Sequence, residues 1–153
     1  MDIKSIILAG DSAGGHLAVA VSFLAAIRGF RRPDAILVHY PVLAIDSQRF
    51  FPSMLLSMDE ELLSQPFMKF CLACFIRNGG NPGQSPILSP IVASPKLLNL
   101  LPQMRIFACE IDSLRDQALL FCHKIILADE GRSKDRVKLI YMREYIHGFC
   151  NLD

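Results

Sequence analysis

Short apolar runs and longer helical patterns alternate along most of the chain. Runs of about five apolar residues between glycine, proline or charged residues are typical of buried strands. Four such runs predict strands over Ser5–Ala9, Ala35–His39, Met104–Cys109 and Val137–Met142. Two longer segments predict helices over Ala13–Arg28 and Leu114–Ala128. Gly29 and Gly131 lie just past their ends, where glycine commonly terminates a helix.

The order of these elements predicts an α/β fold. A strand, a helix and a second strand joined by short links imply a parallel pair with a right-handed crossover. We therefore expect a parallel sheet of about four strands with helices on both faces. Residues 42–94 are rich in glycine, proline and asparagine, and predict a loop and helix insertion with a helix over Gln65–Ile76. Phe149 is expected to open a last helix.

Composition adds limits to this fold. The 153 residues are the length of one ordinary domain, and a 52% hydrophobic content with 20% charged residues predicts a packed core. The formal net charge of +1 gives no reason to expect nucleic acid or an anionic membrane surface as a partner. The N-terminal apolar run is too short for a signal peptide, and no stretch reaches the ~18 apolar residues of a transmembrane segment.

Basic residues are frequent near the end of the chain, where they alternate with acidic ones. Such mixed charges are typical of a solvated helix end and loop. We expect this for the basic residues Lys124, Arg132, Lys134, Arg136 and Lys138 and the acidic residues Asp129, Glu130 and Asp135.

The five cysteines are odd in number, and most lie in apolar runs. This pattern predicts reduced, buried thiols in a reducing compartment. Cys71 and Cys74 form a CxxC motif, but no second pair or histidine cluster follows it. We therefore expect these two side chains to face the core rather than to bind zinc or carry redox chemistry. The free thiols and the absent signal peptide together predict a cytoplasmic protein.

The segment Gly10–Gly15, with the sequence GDSAGG, lies between the first strand and the first helix. A serine on a sharp strand-to-helix turn is presented to substrate, and the crowded turn favours small residues two positions before and after it. Gly10 and Gly14 occupy those positions around Ser12, which predicts a nucleophile elbow. The backbone N–H of Ala13 could then donate to an oxyanion. The alternative is that Ser12 only caps the helix.

An elbow serine needs an acid and then a histidine later in the chain. Both are expected just past the carboxyl ends of strands, where parallel sheets place their sites. Asp112 follows the third predicted strand and His147 follows the fourth. Glu110 and Asp116 flank Asp112 and remain alternative acids.

The remaining histidines fit this order less well. His39 ends a strand but precedes the acid, so it is expected to pack against its neighbours. His16 lies one helical turn after Ser12 and His123 lies in mid-helix, and we interpret both as structural. Asp11 cannot easily reach the far side of His147, and is expected to lie at the surface or to bond to a loop.

Several motifs together resemble the hormone-sensitive lipase family of α/β-hydrolases. They are GDSAGG followed by HLA, YPVL at 40–43, ACEIDSLRDQ at 108–117 and HGF at 147–149. The stretches FPSMLLSMDEELL at 51–63 and SPILSP at 85–90 resemble the animal-type enzymes in particular. The resemblance covers almost the whole chain.

This resemblance implies a partial α/β-hydrolase fold with ester hydrolase activity. It implies Ser12 as nucleophile, Asp112 as orienting acid and His147 as general base, working through an acyl-enzyme. It implies acylglycerols or sterol esters as substrates, and no metal or organic cofactor. It also suggests lipid droplets as a location of the full-length protein.

One part of the family pattern is absent. The family carries a His-Gly-Gly-Gly loop well upstream of the elbow, yet only ten residues precede Asp11 here. Neither Gly14-Gly15 nor Gly79-Gly80 follows a strand at the right place to replace that loop. We therefore expect the chain to be part of a longer esterase, with impaired activity. The strand Ser5–Ala9 would then be an exposed sheet edge, which favours self-association.

Two other functions remain open. The first is a non-catalytic α/β-hydrolase-like protein that binds a small apolar ligand, although such relatives usually lose a member of the triad. The second is an interaction module that pairs through its open sheet edge. A substrate pocket is a further expectation, although most of its candidate side chains are expected to pack in the core: Tyr40, Pro41, Phe50, Phe51 and Phe67.

Overall fold

The fold is a parallel four-stranded sheet with helices in the connections between its strands. The computed structural model describes residues 4–45, 49–60, 62–76, 80–129 and 135–152. The strands lie side by side in chain order, and every neighbouring pair is parallel. Their bounds are β1 Ile7–Asp11, β2 Ala35–His39, β3 Gln103–Ile111 and β4 Val137–Ile146. The predicted α/β class and parallel sheet are thus confirmed.

The helices follow the predicted order, with two short additions. Their bounds are α1 Ala13–Arg28, α2 Pro52–Leu56, α3 Gln65–Phe75, α4 Pro95–Leu98 and α5 Arg115–Ala128. The short helices α2 and α4 both begin with proline, whose fixed φ suits the first helical turn. Phe149–Asn151 forms a 3₁₀ turn rather than the expected helix. Gly29 ends α1 in a left-handed conformation, whereas Gly131 lies outside the described residues.

The two long helices pack on one face of the sheet and share a single core with it. Alternate residues of a strand point to the same face, so one face of each strand can supply this core. Its most buried side chains come from α1, α5, β2 and β3: Val19, Phe23, Phe121, Ile125, Ile36, Val38, Met104 and Ile106. On the opposite face, side chains such as Leu37 and Phe107 are half-buried.

The strands β3 and β4 run further than the apolar pattern predicts. Their register shifts between Cys109 and Ile111, beyond which Ile111 pairs with Ile146. Glu144 has a φ of 64°, and its N–H donates to the Glu110 side chain at 2.8 Å. Beyond this irregularity β3 and β4 pair again, at Ile111 and Ile146. Both strands therefore extend past the apolar residues that predict them.

The strand β1 lies at one edge of the described sheet, where it pairs only with β2. Its Ile7 side chain is 65% exposed. The self-association expected of such an edge stays a prediction. Across the described residues, no helix combines the length and apolar character that crossing a membrane requires.

The segment between β2 and β3 lies against α5. The N–H groups of Leu43 and Ala44 donate to the buried Oε1 of Gln117 at 2.6 and 2.7 Å. Within this segment, α3 buries only Met68. Cys71 and Cys74 are exposed, so the prediction that they face the core is wrong. The physical reason is that α3 carries apolar residues on all its faces, and only one of them packs against the rest of the described chain.

Arg136 also departs from the expectation of a solvated end. Its guanidinium donates to Asp129 at 2.5 Å, to the Asn99 side chain at 3.1 Å and to the carbonyls of Leu98 and Leu101. The side chains of Arg136 and Asp129 are each only 12% exposed. Arg136 thus ties the end of α4 and the end of α5 to the start of β4.

Lys124 behaves in a similar way. Its ammonium donates to the carbonyls of Ile91 and Ala93, and burial lowers its pKa. Lys138 fits the expectation, since it pairs with Asp135 in an exposed position. Residues 130–134 lie outside the described part of the chain.

We expect Arg136→Met to lower the free energy of unfolding by about 2 kcal/mol, because several partly buried acceptors lose a charged donor. Denaturant unfolding followed by circular dichroism measures this. Lys138→Met is the matched control, and should change stability little because its ion pair is exposed. Equal losses in both variants would contradict the role given to Arg136.

Candidate active site

The turn between β1 and α1 holds Ser12 in a strained conformation. Its φ of 51° and ψ of −117° lie in a region that residues with a side chain rarely adopt. The Ser12 N–H donates to the His39 carbonyl at 2.9 Å, and its carbonyl accepts the N–H groups of His16 and Val42 at 3.1 and 3.2 Å. Such a conformation costs about 1–3 kcal/mol and is retained when its surroundings fix it. These three hydrogen bonds do so.

The space around the turn explains two of its three glycines. A Cβ on Gly10 would lie 2.5 Å from the backbone C and O of Gly14, and a Cβ on Gly15 would lie 2.8 Å from the Pro41 Cβ. A Cβ on Gly14 would meet no atom of the described residues within 4 Å beyond its chain neighbours and the backbone of α1 itself. The expected need for a small residue therefore holds two positions before Ser12. After Ser12, the described residues require a small side chain at Gly15, three positions on, instead of at Gly14.

The Ser12 side chain does not cap α1. No side-chain capping hydrogen bond forms at this position. Instead, Ser12 Oγ lies 3.0 Å from His147 Nε2. The interpretation of Ser12 as a mere helix cap is therefore wrong. Ala13 is the first residue of α1, where backbone N–H groups have no acceptor within the helix. Its N–H can therefore donate to a ligand.

His147 joins Ser12 to Asp112. His147 Nδ1 lies 3.0 Å from Asp112 Oδ2, and Asp112 Oδ1 accepts the Leu114 N–H at 2.7 Å. Asp112 has no exposed surface, and His147 is 7% exposed. With an ionised Asp112, Nδ1 carries the ring proton and donates a hydrogen bond to the carboxylate, which leaves Nε2 free to accept the Ser12 hydroxyl proton. The sequence places these residues far apart, and the ends of β1, β3 and β4 bring them together.

The two alternative acids lie elsewhere. Glu110 accepts the N–H of Glu144, and Asp116 accepts the N–H of Ser53 at 2.8 Å and the guanidinium of Arg115 at 2.9 Å. Both carboxylates thus have structural partners, and only Asp112 of the three candidates bonds to His147.

The remaining predicted residues take the positions expected of them. His16 is buried, its ring contacts Phe75 edge-on, and burial lowers its pKa. The His39 ring packs on Phe107 with centroids 4.5 Å apart, and His123 is exposed on α5. Asp11 is exposed and accepts the Asn151 side-chain amide at 3.3 Å. No group of three or more potential metal ligands occurs among the described residues.

Two residues beside His147 are missing from the sequence-based site. Tyr40 is buried with a φ of 35°, and its ring centroid lies 4.7 Å from that of His147. Burial, and next the Cys150 thiol, raise the pKa of its hydroxyl. Glu60 is also buried, beside His147 and Asp112. The sequence singles out Tyr40 only in the YPVL motif of the family resemblance and as a side chain that could line a substrate pocket, not as a neighbour of His147. The acidic run at 59–61 is typical of a solvated turn.

An apolar cleft of about 310 Å³ is lined in part by Ala13, the residue that follows Ser12. Its lining is almost entirely apolar and comes from α1, the segment after β2, and α3: Ala13, His16, Leu17, Val42, Ile45, Cys71, Leu72 and Phe75. The aromatic residues considered for a substrate pocket do not line it. Tyr40, Pro41 and Phe51 are buried elsewhere, and Phe50 and Phe67 are exposed.

Comparison with known proteins agrees with this fold. A family profile described as alpha/beta hydrolase fold matches residues 1–151. The chain belongs to this family. Within the alpha/beta-hydrolases, it is 44% identical over 72 residues to the hormone-sensitive lipase of Mus musculus, which confirms the resemblance seen in its motifs. An esterase of Gibberella moniliformis is 26% identical over 149 residues.

A solved esterase structure extends the structural match to the whole chain. Carboxyl esterase 2 from the mycorrhizal fungus Tuber melanosporum superposes on 100% of the chain with a TM-score of 0.87 at 24% identity, which shows a shared fold. The chain covers 48% of that structure. The matched region spans 47% of this chain and 9% of the mouse lipase, and 97% of this chain and 45% of the Gibberella esterase.

Proposed function

We propose that this chain carries the nucleophilic site of a serine carboxylic ester hydrolase. The observation that carries the proposal is the line of contacts from the strained Ser12 through His147 to the buried Asp112, with both nitrogen–oxygen distances at 3.0 Å. A serine hydroxyl is a weak nucleophile until a base takes its proton. Here the base lies within hydrogen-bonding distance and is itself oriented by an acid.

In the proposed reaction, Ser12 Oγ attacks the ester carbonyl carbon while His147 Nε2 takes the hydroxyl proton. Asp112 stabilises the imidazolium that forms, and the Ala13 N–H donates to the carbonyl oxygen as it becomes negative. His147 then gives the proton to the leaving alcohol, which leaves an acyl group on Ser12. A water molecule, deprotonated by His147, hydrolyses this acyl-enzyme and restores the serine.

We assign lipid esters of the acylglycerol type as the substrate class. The hormone-sensitive lipases that the chain resembles point to this class. The apolar cleft supports this substrate class, because Ala13 contributes to its lining and its almost entirely apolar wall suits an acyl chain. His16 fits such a wall, since its lowered pKa favours the neutral ring.

The proposal is tested by incubating the purified chain with a fluorophosphonate and mapping the adduct by mass spectrometry. This probe reacts with activated serines and does not require full turnover. We expect one adduct, on Ser12, whose Oγ lies 3.0 Å from the histidine base.

Two comparisons make the result decisive. Ser12→Ala should remove the adduct, whereas Ser64→Ala should leave it unchanged, since Ser64 makes no side-chain capping bond at α3. A folded chain without an adduct, or with adducts spread over several serines, would contradict the proposed function.

A further inference from the structure

Glu60 is a buried acid without the partners that such a group normally has. Its side chain lies in the turn after α2 and is 8% exposed. Neither of its carboxyl oxygens has a hydrogen-bond partner of normal geometry among the described residues. Burying an unpaired carboxyl is costly, so one that is kept beside a reactive histidine points to a role in the site.

The carboxyl faces the two strand ends that carry His147 and Asp112. Glu60 borders a cavity of about 370 Å³ together with Ile111 and Ile146, the residues that directly precede Asp112 and His147 and pair with each other across β3 and β4. The backbone N–H groups of His147 and Leu63 also lie near the carboxyl and favour its ionised form. Glu60 is thus a second acid close to the residues that carry Asp112 and His147.

Four titratable groups of the described residues lie near Glu60. Asp112 faces it from the end of β3, His147 from the end of β4 and the Cys109 thiol from within β3. Asp59 precedes it in its own turn and is exposed. Burial raises the pKa of Cys109 to about 12, so this thiol stays neutral and contributes no charge.

The surroundings of Glu60 favour its neutral form. Burial and then the charge of Asp112 raise the pKa of its carboxyl, while His147 lowers it. A carboxyl whose pKa is raised on folding stabilises the fold below its ordinary pKa and loses that contribution as the pH rises through the raised pKa. The ionised form, which is present above the raised pKa, is therefore the one that costs stability.

We propose that Glu60 is a positioning residue for His147: its ionised carboxyl, buried against the His147 loop, supports the imidazolium that forms when Ser12 loses its proton. This inference rests on the proposed function. Asp112 contacts the ring directly, whereas Glu60 lies near the backbone of the turn that carries the ring. A negative charge there favours the charged ring in the transition state more than the neutral ring before reaction.

Glu60→Gln tests this role, since it keeps the shape of the side chain and removes the charge. At pH 8 we expect the rate of fluorophosphonate labelling of Ser12 to fall about tenfold, as for one charge acting over several ångströms in a partly shielded site. At the same pH we expect the melting temperature to rise by about 3 °C. Both differences from the wild type should shrink as the pH falls through the raised pKa of Glu60, because the carboxyl then loses its charge.

The matched control is Asp59→Asn, which removes the neighbouring exposed charge and should change neither quantity. Glu60→Asp should restore part of the labelling rate. An unchanged labelling rate in Glu60→Gln overturns the proposal, whatever happens to stability. A slower rate that stays equally slow as the pH falls through the raised pKa of Glu60 also overturns it, because a packing defect has no such pH dependence. If the folded wild-type chain is not labelled at Ser12 at all, the proposed function fails first and the role of Glu60 fails with it.

Discussion

Asp112→Asn is expected to slow the labelling of Ser12 about ten-thousandfold, which is the size of effect that a histidine in the wrong tautomer has in serine hydrolases. Asparagine has the shape of aspartate, and its oxygen can still accept the Leu114 N–H that Asp112 accepts at 2.7 Å. Its amide, however, donates to His147 Nδ1, so the ring proton moves to Nε2. Nε2 then cannot take the proton of Ser12. The second-order rate of fluorophosphonate labelling at pH 8 measures the change.

The appropriate controls are the acids that the sequence leaves open. Glu110→Gln and Asp116→Asn each remove a carboxylate close to Asp112 that bonds to other groups. We expect both variants to keep labelling within about tenfold of the wild type, with any loss coming from stability. A large loss in Asp116→Asn together with a small loss in Asp112→Asn would assign the acid to Asp116 and contradict the geometry described above.

The candidate site could be predicted largely from the sequence because its residues follow simple rules of order and position. The serine lies on a glycine-rich turn, and the acid and the histidine each follow an apolar run. In a parallel sheet the carboxyl ends of all strands lie at the same edge, so residues that are distant in sequence become neighbours there. The same regularity explains why α1 and β2 have the predicted bounds.

The sequence could not show which polar residues are buried. Glu60 belongs to an acidic run and Arg136 to a mixed charged tail, and in both cases burial depends on a distant element that packs over the residue. The reverse holds for Cys71 and Cys74, whose apolar surroundings in α3 suggest a core that the described chain does not provide. Local patterns report what a segment can bury, whereas tertiary packing decides what it does bury.

The second large effect is expected for Gly10→Ala. The new Cβ would lie 2.5 Å from the backbone of Gly14, which is fixed in the first turn of α1 and cannot move aside as a flexible side chain would. We expect the free energy of unfolding to fall by about 3 kcal/mol, near the upper end of what overpacking usually costs. Displacing the turn also moves Ser12 Oγ away from His147, so labelling should fall at least about a hundredfold.

Gly14→Ala is the matched control, since the described chain leaves open space at its Cβ position. Alanine is also the better helix former, by about 1 kcal/mol, so this variant should be as stable as the wild type or slightly more so. Denaturant unfolding and labelling at pH 8, measured on both variants, separate the two positions. If Gly14→Ala proved as harmful as Gly10→Ala, the crowding at the turn would have to come from contacts other than those between Gly10 and the first turn of α1. The strain at Ser12 would then need a different physical origin.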